Sequence, residues 1–300
     1  MRKKVFSLLV GLALCVSLLP PSAFAENESI EDVLQNEEMQ TEEIAEQVQF
    51  AAEQEDEPAE FAANADDEPQ GEGTAEAPYL IGSLNELKWF RDMVNGGITG
   101  ICAKLTETKI KLDDAAWEPI GTETNPYTGI FDGSCREISI DYAKAPTDME
   151  SGWGLFGYIG NGGKVQDLNV IVNYFGWDYG SFNVPESGIL AAYNDGTIER
   201  CSVLDNRINV TGSVGLLVYR NNGTVRDCLT RISSDISAGA ASIGGVVYLN
   251  NGSIENCFFY NSYYQSTNAM YNHAIAFEKG SGSSIANCYY KENSPALDNT

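Results

Sequence analysis

The 300-residue chain is predicted to be an all-β protein whose main domain is a right-handed parallel β-helix, a solenoid of short strands. Two observations indicate this fold. A short motif recurs about every 30 residues from residue 154 onward, and such a period is typical of solenoids. The repeated units contain Val-, Ile- and Tyr-rich runs bounded by Gly and Asn, and none contains a ten-residue helical stripe, which favours strands.

The repeat is a six-residue motif with Val or Ile at its third position and Leu or Cys at its end. Its end residues follow one another at nearly equal intervals, and they are Leu168, Cys201, Cys228, Cys257 and Cys288. A second marker, a glycine, precedes the three middle cysteines by the same distance each time, at Gly188, Gly215 and Gly244. Gly154 precedes Leu168 by a single position more. Two markers in a nearly fixed phase indicate stacked coils of one solenoid.

Each motif is expected to contain a corner. Ile198 and Cys201 are three residues apart, so in a straight strand they would point to opposite faces. Both reach one core only if the chain bends between them. The residue before each motif end occupies the bend, and residues of the Asp and Asn type favour such positions; the five are Asp167, Arg200, Asp227, Asn256 and Asn287. Parallel crossovers are almost always right-handed, which predicts the hand of the helix.

Stacking the coils in register aligns residues of opposite charge. Glu199, Arg226 and Glu255 form one column, and Asp167, Arg200 and Asp227 form the next. Neighbours about 4.8 Å apart are stabilised by opposite charges. We expect these to be exposed pairs, so that Arg226→Ala costs less than about 1 kcal/mol.

The N-terminus, residues 1–25, is predicted to be an export signal. Three basic residues precede a fifteen-residue apolar run from Val5 to Leu19, and Ala23-Phe24-Ala25 supplies a cleavage pattern. A retained membrane helix is the weaker interpretation because the run is short. Cys15 does not indicate a lipoprotein, since Leu14 precedes it where a small residue is needed. We therefore expect a secreted or cell-surface protein with no membrane span after cleavage.

Residues 26–78 form an acidic linker with 19 Asp or Glu residues and no Lys or Arg. Such a segment cannot bury enough apolar surface to offset its ordering entropy, so disorder is predicted. The favoured role is a solvated spacer. The alternative is binding of a cationic partner or of metal ions.

The β-helix domain is assigned to residues 79–300. Ser83 and Glu86 form a capping box, followed by apolar residues at roughly helical spacing as far as Gly96. We predict a short helix over residues 84–95 that covers the first open edge of the solenoid. At the other end no cap is evident, so residues 289–300 fold over the last coil or the chain is a truncated version of a longer surface protein.

The cysteines are predicted to be reduced. Stacked residues keep parallel Cβ vectors near 4.8 Å apart, whereas a disulfide needs about 3.8 Å. The four motif cysteines should therefore form a buried thiol column, Cys201, Cys228, Cys257 and Cys288. Pairing of Cys102 with Cys135 is left open.

Composition excludes several classes of function. A formal charge of −25 disfavours nucleic acid as a partner. One histidine, His273, leaves no multi-histidine metal site, and we predict no metal and no cofactor. Glycosidase chemistry needs two carboxylates about 5–10 Å apart, and Asp178, Asp205 and Asp235 occupy different offsets in their coils. We therefore predict a protein that is not an enzyme.

An aromatic segment is the candidate binding site. The longest interval between motif ends contains Phe175, Trp177 and Tyr179, bracketed by glycines and a proline. Exposed rings beside Asn and Asp suit stacking on sugars, so the three rings are predicted to project from a loop and bind a ligand. The alternative is that they pack back on the coil. Tyr260, Tyr263, Tyr264 and Tyr271 give a weaker signal of the same kind.

The sequence also resembles the bacterial surface proteins that carry the GLUG motif, which is found near the N-terminal parts of immunoglobulin A-cleaving zinc proteases. The resemblance covers roughly residues 73–300 and lies in the ordered segments 73–81, 103–106, 117–121, 127–133 and 154–158. It implies a β-helical surface or secreted protein with an adhesive or binding role. No His-Glu-x-x-His motif is present, so protease activity is not implied.

Together these observations predict a secreted or surface-associated binding protein. Its expected ligand is an extracellular glycan or a surface protein. The alternative is a carbohydrate-active enzyme, a polysaccharide lyase or hydrolase, on a β-helix.

Overall fold

The computed structural model describes residues 67–112, 117–142, 152–176, 186–205, 208–209, 213–232, 242–261 and 272–292. The chain divides into two units, residues 1–60 and 61–300, and every described residue belongs to the second. The predicted signal segment and most of the predicted acidic linker lie outside the described residues.

The described part of the second unit is a parallel β-helix with one short helix, as the sequence predicts. Its strands form three parallel sheets. The four-stranded sheet contains β7 (Ser187–Gly188), β12 (Ser213–Gly215), β16 (Ser242–Gly244) and β20 (Asn272–His273). The five-stranded sheet contains β5 (Phe156–Ile159), β8 (Ala191–Asn194), β13 (Val218–Asn221), β17 (Val247–Asn250) and β21 (Ala276–Lys279).

The third sheet has 14 strands. Its first members are β1 (Tyr79–Ile81), β2 (Ala103–Leu105), β3 (Lys109–Leu112), β4 (Ile130–Tyr142) and β6 (Lys164–Gly176). The strands before the corners of the later coils are β9 (Thr197–Glu199), β14 (Thr224–Arg226), β18 (Ser253–Glu255) and β22 (Ser284–Ala286). The strands after the corners are β10 (Ser202–Asp205), β11 (Ile208–Asn209), β15 (Leu229–Ile232), β19 (Phe258–Asn261) and β23 (Tyr289–Glu292).

The predicted corners are confirmed. The five bend residues have left-handed backbone conformations with φ between 52° and 56°, and they are Asp167, Arg200, Asp227, Asn256 and Asn287. Asp and Asn tolerate this conformation better than most residues, which explains their preference for the corner. As a result Ile198 and Cys201 both reach the core, with exposed fractions of 0% and 2%.

The thiol column is confirmed for the middle coils. Cys201, Cys228 and Cys257 are buried, Cys288 is half-buried, and all four are free thiols. Cys102 is buried, Cys135 is exposed, and these two cysteines are also unpaired. Burial is the main factor that raises the pKa of the Cys228 thiol well above its ordinary value, because a thiolate is poorly solvated there.

A buried asparagine ladder, which the sequence analysis does not predict, runs along the end of the five-stranded sheet. The Asn194 side-chain amide donates to Asn221 Oδ1 at 2.7 Å, and the Asn221 amide donates to Asn250 Oδ1 at 2.8 Å. All three residues are 0% exposed. Their amides also reach backbone carbonyls at the next turn, so the ladder supplies hydrogen bonds to a buried turn of the chain.

The charge columns are confirmed in register, but one of their members is not a surface residue. Arg226 pairs with Glu199 on one side and Glu255 on the other, and Arg200 Nε contacts Asp167 Oδ1 at 2.7 Å. Asp227 instead accepts a hydrogen bond from the side chain of Asn256. The Glu199 side chain is 2% exposed, which corrects the expectation that Glu199 and Arg226 form an exposed pair.

The predicted helix is confirmed as α1 (Leu84–Asn95), with Ser83 as its N-cap. Ser83 Oγ accepts from the Glu86 amide at 3.1 Å, and Glu86 Oε2 accepts from the Gly82 amide at 2.7 Å. The carboxylate therefore reaches one residue further back than in a standard capping box. Phe90 packs edge-on against the rings of Tyr127 and Phe131, each at 5.7 Å, so the helix covers the aromatic end of the core.

Ordered structure also precedes Tyr79. Gln70 forms an antiparallel bridge with Leu80, and the Cys102 amide donates to the Gly73 carbonyl at 2.7 Å. These residues belong to the segment that the sequence assigns to the acidic linker. The last part of that segment is therefore attached to the first coil.

Candidate functional site

Five aromatic side chains form a row along the solenoid axis on the outer face of the five-stranded sheet. Each coil contributes one residue, and the aromatic ladder consists of Tyr158, Tyr193, Tyr219, Tyr248 and Phe277. Tyr158 and Tyr193 stack with ring centroids 4.3 Å apart. Tyr219 stacks on Tyr248 at 4.9 Å, and Tyr248 stacks on Phe277 at 5.0 Å. These distances follow from the coil spacing of about 4.8 Å.

The ladder shifts by one residue in its middle. Tyr158 and Tyr193 are direct register partners, but the partner of Tyr193 on β13 is Arg220. The next ring is Tyr219, which meets Tyr193 edge-on at 6.3 Å. The Arg220 guanidinium lies 5.4 Å from the centroid of the Tyr193 ring, a cation–π arrangement. The shift therefore places a cation within an aromatic row.

Glu186 connects the two halves of the ladder. Its carboxylate accepts a hydrogen bond from the Tyr193 hydroxyl, and its charge also raises the pKa of Tyr219. Arg220 Nη2 lies 3.6 Å from Glu186 Oε2. The Glu186 side chain is 42% exposed, so this carboxylate is organised by the ladder and remains accessible to a ligand.

The ladder hydroxyls are hydrogen-bond donors rather than bases. Burial, followed by the hydrogen bond to Glu186, raises the pKa of Tyr193 above its ordinary value. Burial, followed by the charge of Glu186, raises the pKa of Tyr219 in the same direction. A tyrosine acting as a general base needs a pKa shifted downward toward neutral pH. The arrangement therefore suits binding through neutral hydroxyls.

The exposed chemistry of the ladder is that of ring edges and polar tips. Ring faces within each stack are turned toward neighbouring rings, which leaves the ring edges and the polar tips for other contacts. The Tyr248 hydroxyl is 3.5 Å from Glu278 Oε1, a weak contact that leaves the hydroxyl available. His273 packs edge-on against Phe277 at 4.9 Å, so the single histidine lies at the end of the ladder.

The aromatic segment predicted as the binding site is only partly described. Phe175 lies in β6, and its backbone is paired with Ile208 and Tyr142. Trp177 and Tyr179 lie outside the described residues, so the predicted role of Phe175, Trp177 and Tyr179 stays a prediction. Of the weaker tyrosine group only Tyr260 is described, and Lys291 Nζ lies 5.6 Å from its ring centroid.

The ladder was missed in the sequence although a signal for it exists. In every coil an aromatic residue lies 8 to 11 positions before the motif end. Its distance from the motif end differs between coils, and this variation hides the column, because the other columns have a constant spacing. The shift at Arg220 and the longer first and last coils account for the variation.

Among the described residues no group of three or more His, Cys, Asp or Glu side chains is arranged to hold a metal ion. Within the same residues no helix has the length and apolar character needed to cross a membrane.

Comparisons with known proteins give limited matches. No family model matches the chain. A protein of Evansella cellulosilytica described as "Putative Gly-rich membrane protein" is 32% identical over 135 residues, which are 44% of this chain and 15% of that protein. The chain thus spans a small part of the length of this relative. A crystal structure of a "putative immunoglobulin A1 protease" from Bacteroides ovatus superposes with a TM-score of 0.48 and 16% identity, covering 74% of this chain and 78% of that one.

Proposed function

We propose that this chain is an exported surface protein that binds an extracellular glycan along the aromatic ladder. The observation that carries the proposal is the array of Tyr193, Tyr219, Glu186 and Arg220. Its Glu186 carboxylate and Arg220 guanidinium side chains are 42% and 38% exposed. They lie beside the neutral hydroxyls of half-buried Tyr193 and of Tyr219, which is 8% exposed.

A glycan fits this array because it presents many hydroxyl groups and apolar ring faces in a repeating order. Tyrosine offers an apolar edge and a polar tip in one side chain. The ladder repeats this pair at the coil spacing, so it matches an elongated polymer better than a compact ligand. Carboxylate and guanidinium groups then supply the strong hydrogen bonds that orient sugar hydroxyls.

Surface location is supported by the N-terminal sequence and by the printed name of one relative. Residues 1–25 have the basic start, apolar run and small-residue site of an export signal. The matching protein of Evansella cellulosilytica is described as a membrane protein. In this proposal residues 26–66 act as an acidic spacer between the export signal and the β-helix.

Binding is favoured over catalysis for the same site. The Tyr193 and Tyr219 hydroxyls have raised pKa values, and the Tyr193 hydroxyl donates to the Glu186 carboxylate. A lyase needs a deprotonated base, and a glycosidase needs a pair of suitably spaced carboxylates. The ladder supports neither requirement.

The aromatic segment is proposed as a second contact with the same glycan. Trp177 and Tyr179 precede Glu186 by fewer than ten residues. Glu186 is a ladder residue, so the chain enters the candidate site directly after this segment. The three rings of Phe175, Trp177 and Tyr179 would add stacking faces that the ladder itself does not offer.

The proposal is tested with a glycan array probed by the mature chain, followed by a reducing-sugar assay on every glycan that binds. We expect saturable binding to at least one extracellular polysaccharide and no release of reducing ends. Release of reducing ends would support the enzyme alternative. No glycan binding at any concentration tested would contradict the proposed function.

A further inference from the structure

A second exposed face lies on the strands that follow the corners, on a different sheet from the ladder. Val203, Thr230 and Phe259 point inward on these strands and are at most 4% exposed. Their sequence neighbours therefore point outward. Two outward columns result, and we call them together the post-corner face: Ser202, Leu229, Phe258 and Tyr289 in the first, and Leu204, Arg231, Tyr260 and Lys291 in the second.

The post-corner face exposes large apolar side chains on neighbouring strands. Leu229, Phe258 and Tyr289 are 38%, 36% and 67% exposed. They are consecutive register partners, so the three side chains form one continuous patch instead of three isolated exposures. Contiguous exposed apolar surface is typical of interaction sites.

The charges on this face are positive in a strongly acidic protein. Arg231 and Lys291 are the charged residues among these eight positions, whereas the whole chain has a formal charge of −25. Further along the same register the first column reaches Glu137, which forms an ion pair with Lys109. Among the described residues neither cation is in an ion pair, and Arg231 Nε is buried without a hydrogen-bond partner there. Lys291 Nζ lies over the Tyr260 ring at 5.6 Å. Two cations beside exposed rings fit an anionic ligand with apolar surface.

We propose that the post-corner face binds an acidic polysaccharide, a polymer of uronic acid residues. This inference shares its ligand class with the proposed function but uses a different site. Arg231 and Lys291 are separated by two register steps through Tyr260, or about 10 Å. A polymer that carries a carboxylate on each sugar can meet both cations while its ring faces lie on Phe258 and Tyr289.

An anionic membrane fits this face less well. Electrostatic membrane binding uses clusters of roughly four to eight cations, and the post-corner face has two.

The test compares polygalacturonate with its fully methyl-esterified form, which keeps the sugar rings and removes the charges. We expect the mature chain to bind polygalacturonate at least about tenfold more tightly than the ester. The affinity should fall as salt is added, because charge pairs on an exposed face are screened. Equal affinity for the two polymers, or no binding to polygalacturonate, would overturn the proposal.

Variants locate the site. The double variant R231Q/K291Q should weaken polygalacturonate binding about tenfold or more, while the matched double variant K104Q/K279Q should leave it unchanged. Lys104 and Lys279 are exposed cations outside this face. If the double variant folds poorly, the single variant Lys291→Gln tests the same site, because Lys291 is exposed and its substitution should not disturb folding. F258S should likewise weaken binding, whereas I98S, which changes an apolar side chain that is 49% exposed elsewhere, should not.

The outcomes separate this proposal from the proposed function. Loss of binding in the post-corner variants with neutral glycans still bound supports this face as a distinct site. If only ladder variants lose polygalacturonate binding, the post-corner site is overturned and the proposed function is left intact. A third outcome is that the chain binds phosphatidylserine vesicles through Arg231 and Lys291 but does not bind polygalacturonate. This result would overturn the acidic polysaccharide as the ligand in favour of an anionic membrane.

Discussion

Glu199 shows how the stacked coils concentrate charge on one residue. Its buried carboxylate contacts Lys164 Nζ at 2.8 Å and Arg200 Nη1 at 2.7 Å, and it also pairs with Arg226. Burial raises the pKa of this carboxyl, but the hydrogen bonds from Lys164, Arg226 and Arg200 outweigh burial and lower the pKa to about 2. Three cations from three coils therefore stabilise a single anion.

The free energy of unfolding should depend on Glu199 in a defined pH window. The folded pKa of about 2 lies below the reference value of 4.5, so the stabilisation is fully present above about pH 4.5 and is lost as the pH falls toward 2. Glu199→Gln should lower the free energy of unfolding by about 2–3 kcal/mol at pH 6 and by much less near pH 2. Urea unfolding at both pH values measures this.

Glu255→Gln is the matched control for this experiment. Glu255 lies on the other side of Arg226 in register and is exposed, so its substitution should change stability by less than about 1 kcal/mol. An equal effect of the two substitutions would contradict the account of Glu199. Since Arg226 pairs with a buried carboxylate, Arg226→Ala should cost about 1–3 kcal/mol, more than an exposed pair would.

Trp177 tests the aromatic segment at the same scale. If Trp177 is a binding anchor, Trp177→Ala should weaken binding by about 2 kcal/mol, roughly thirtyfold, with an unchanged melting temperature. A core ring would instead cost about 3–5 kcal/mol of stability. Measuring the affinity and the melting temperature of this variant decides between a binding anchor and a core ring. Lost stability with an unchanged affinity per folded molecule would exclude the segment as a binding site.

At the scale of elements, the solenoid is held by ladders in which one residue type repeats. The buried ladder Asn194, Asn221 and Asn250 has an exposed counterpart one residue later. There the Asn222 amide donates to Asp195 Oδ1 at 2.7 Å, and the Asn251 amide donates to Asn222 Oδ1 at 2.8 Å. The hydrogen bonds of the two ladders have similar lengths but opposite directions along the axis, and the ladders differ in burial.

This pair of ladders gives a test with a built-in control. Asn221→Ala should lower the free energy of unfolding by about 2 kcal/mol or more, because buried groups of Asn194 and Asn250 lose their partners. Asn222→Ala should cost less than about 1 kcal/mol, because water replaces the lost hydrogen bonds. Denaturant unfolding of both variants measures the difference, and similar costs would show that burial does not decide the strength of the ladder.

The thiol column should show graded reactivity. Cys135 is exposed and should react first with a thiol reagent, whereas Cys201, Cys228 and Cys257 are at most 3% exposed and should react last. The raised pKa of Cys228 slows the reaction further, because the thiolate is the nucleophile. Mass spectrometry of the natively labelled protein reports the order, and rapid labelling of Cys228 would exclude the buried column.

At the scale of the whole molecule, the repeat predicts most of the fold. Corners, coil period and thiol column follow from residues that recur at fixed positions, such as Asp227 before Cys228, and the capping helix follows from a local capping box. The aromatic and asparagine ladders escaped prediction for different reasons. The rings vary in offset from coil to coil, whereas Asn194, Asn221 and Asn250 resemble ordinary turn residues until their burial is known. Glu199 also has partners on two neighbouring coils, Lys164 and Arg226, which its local sequence does not reveal.

The central claim is that the ladder binds a glycan through its hydroxyl groups. The most direct measurement is the affinity of Tyr248→Phe for a glycan selected on the array, with the melting temperature measured in parallel and Tyr79→Phe as control. Tyr79 packs against Trp89 in the first coil, away from the ladder. We predict that Tyr248→Phe weakens binding by about fivefold or more at an unchanged melting temperature and that Tyr79→Phe binds like the wild type. Wild-type affinity in Tyr248→Phe, or an equal loss in both variants, would contradict the ladder as the binding site.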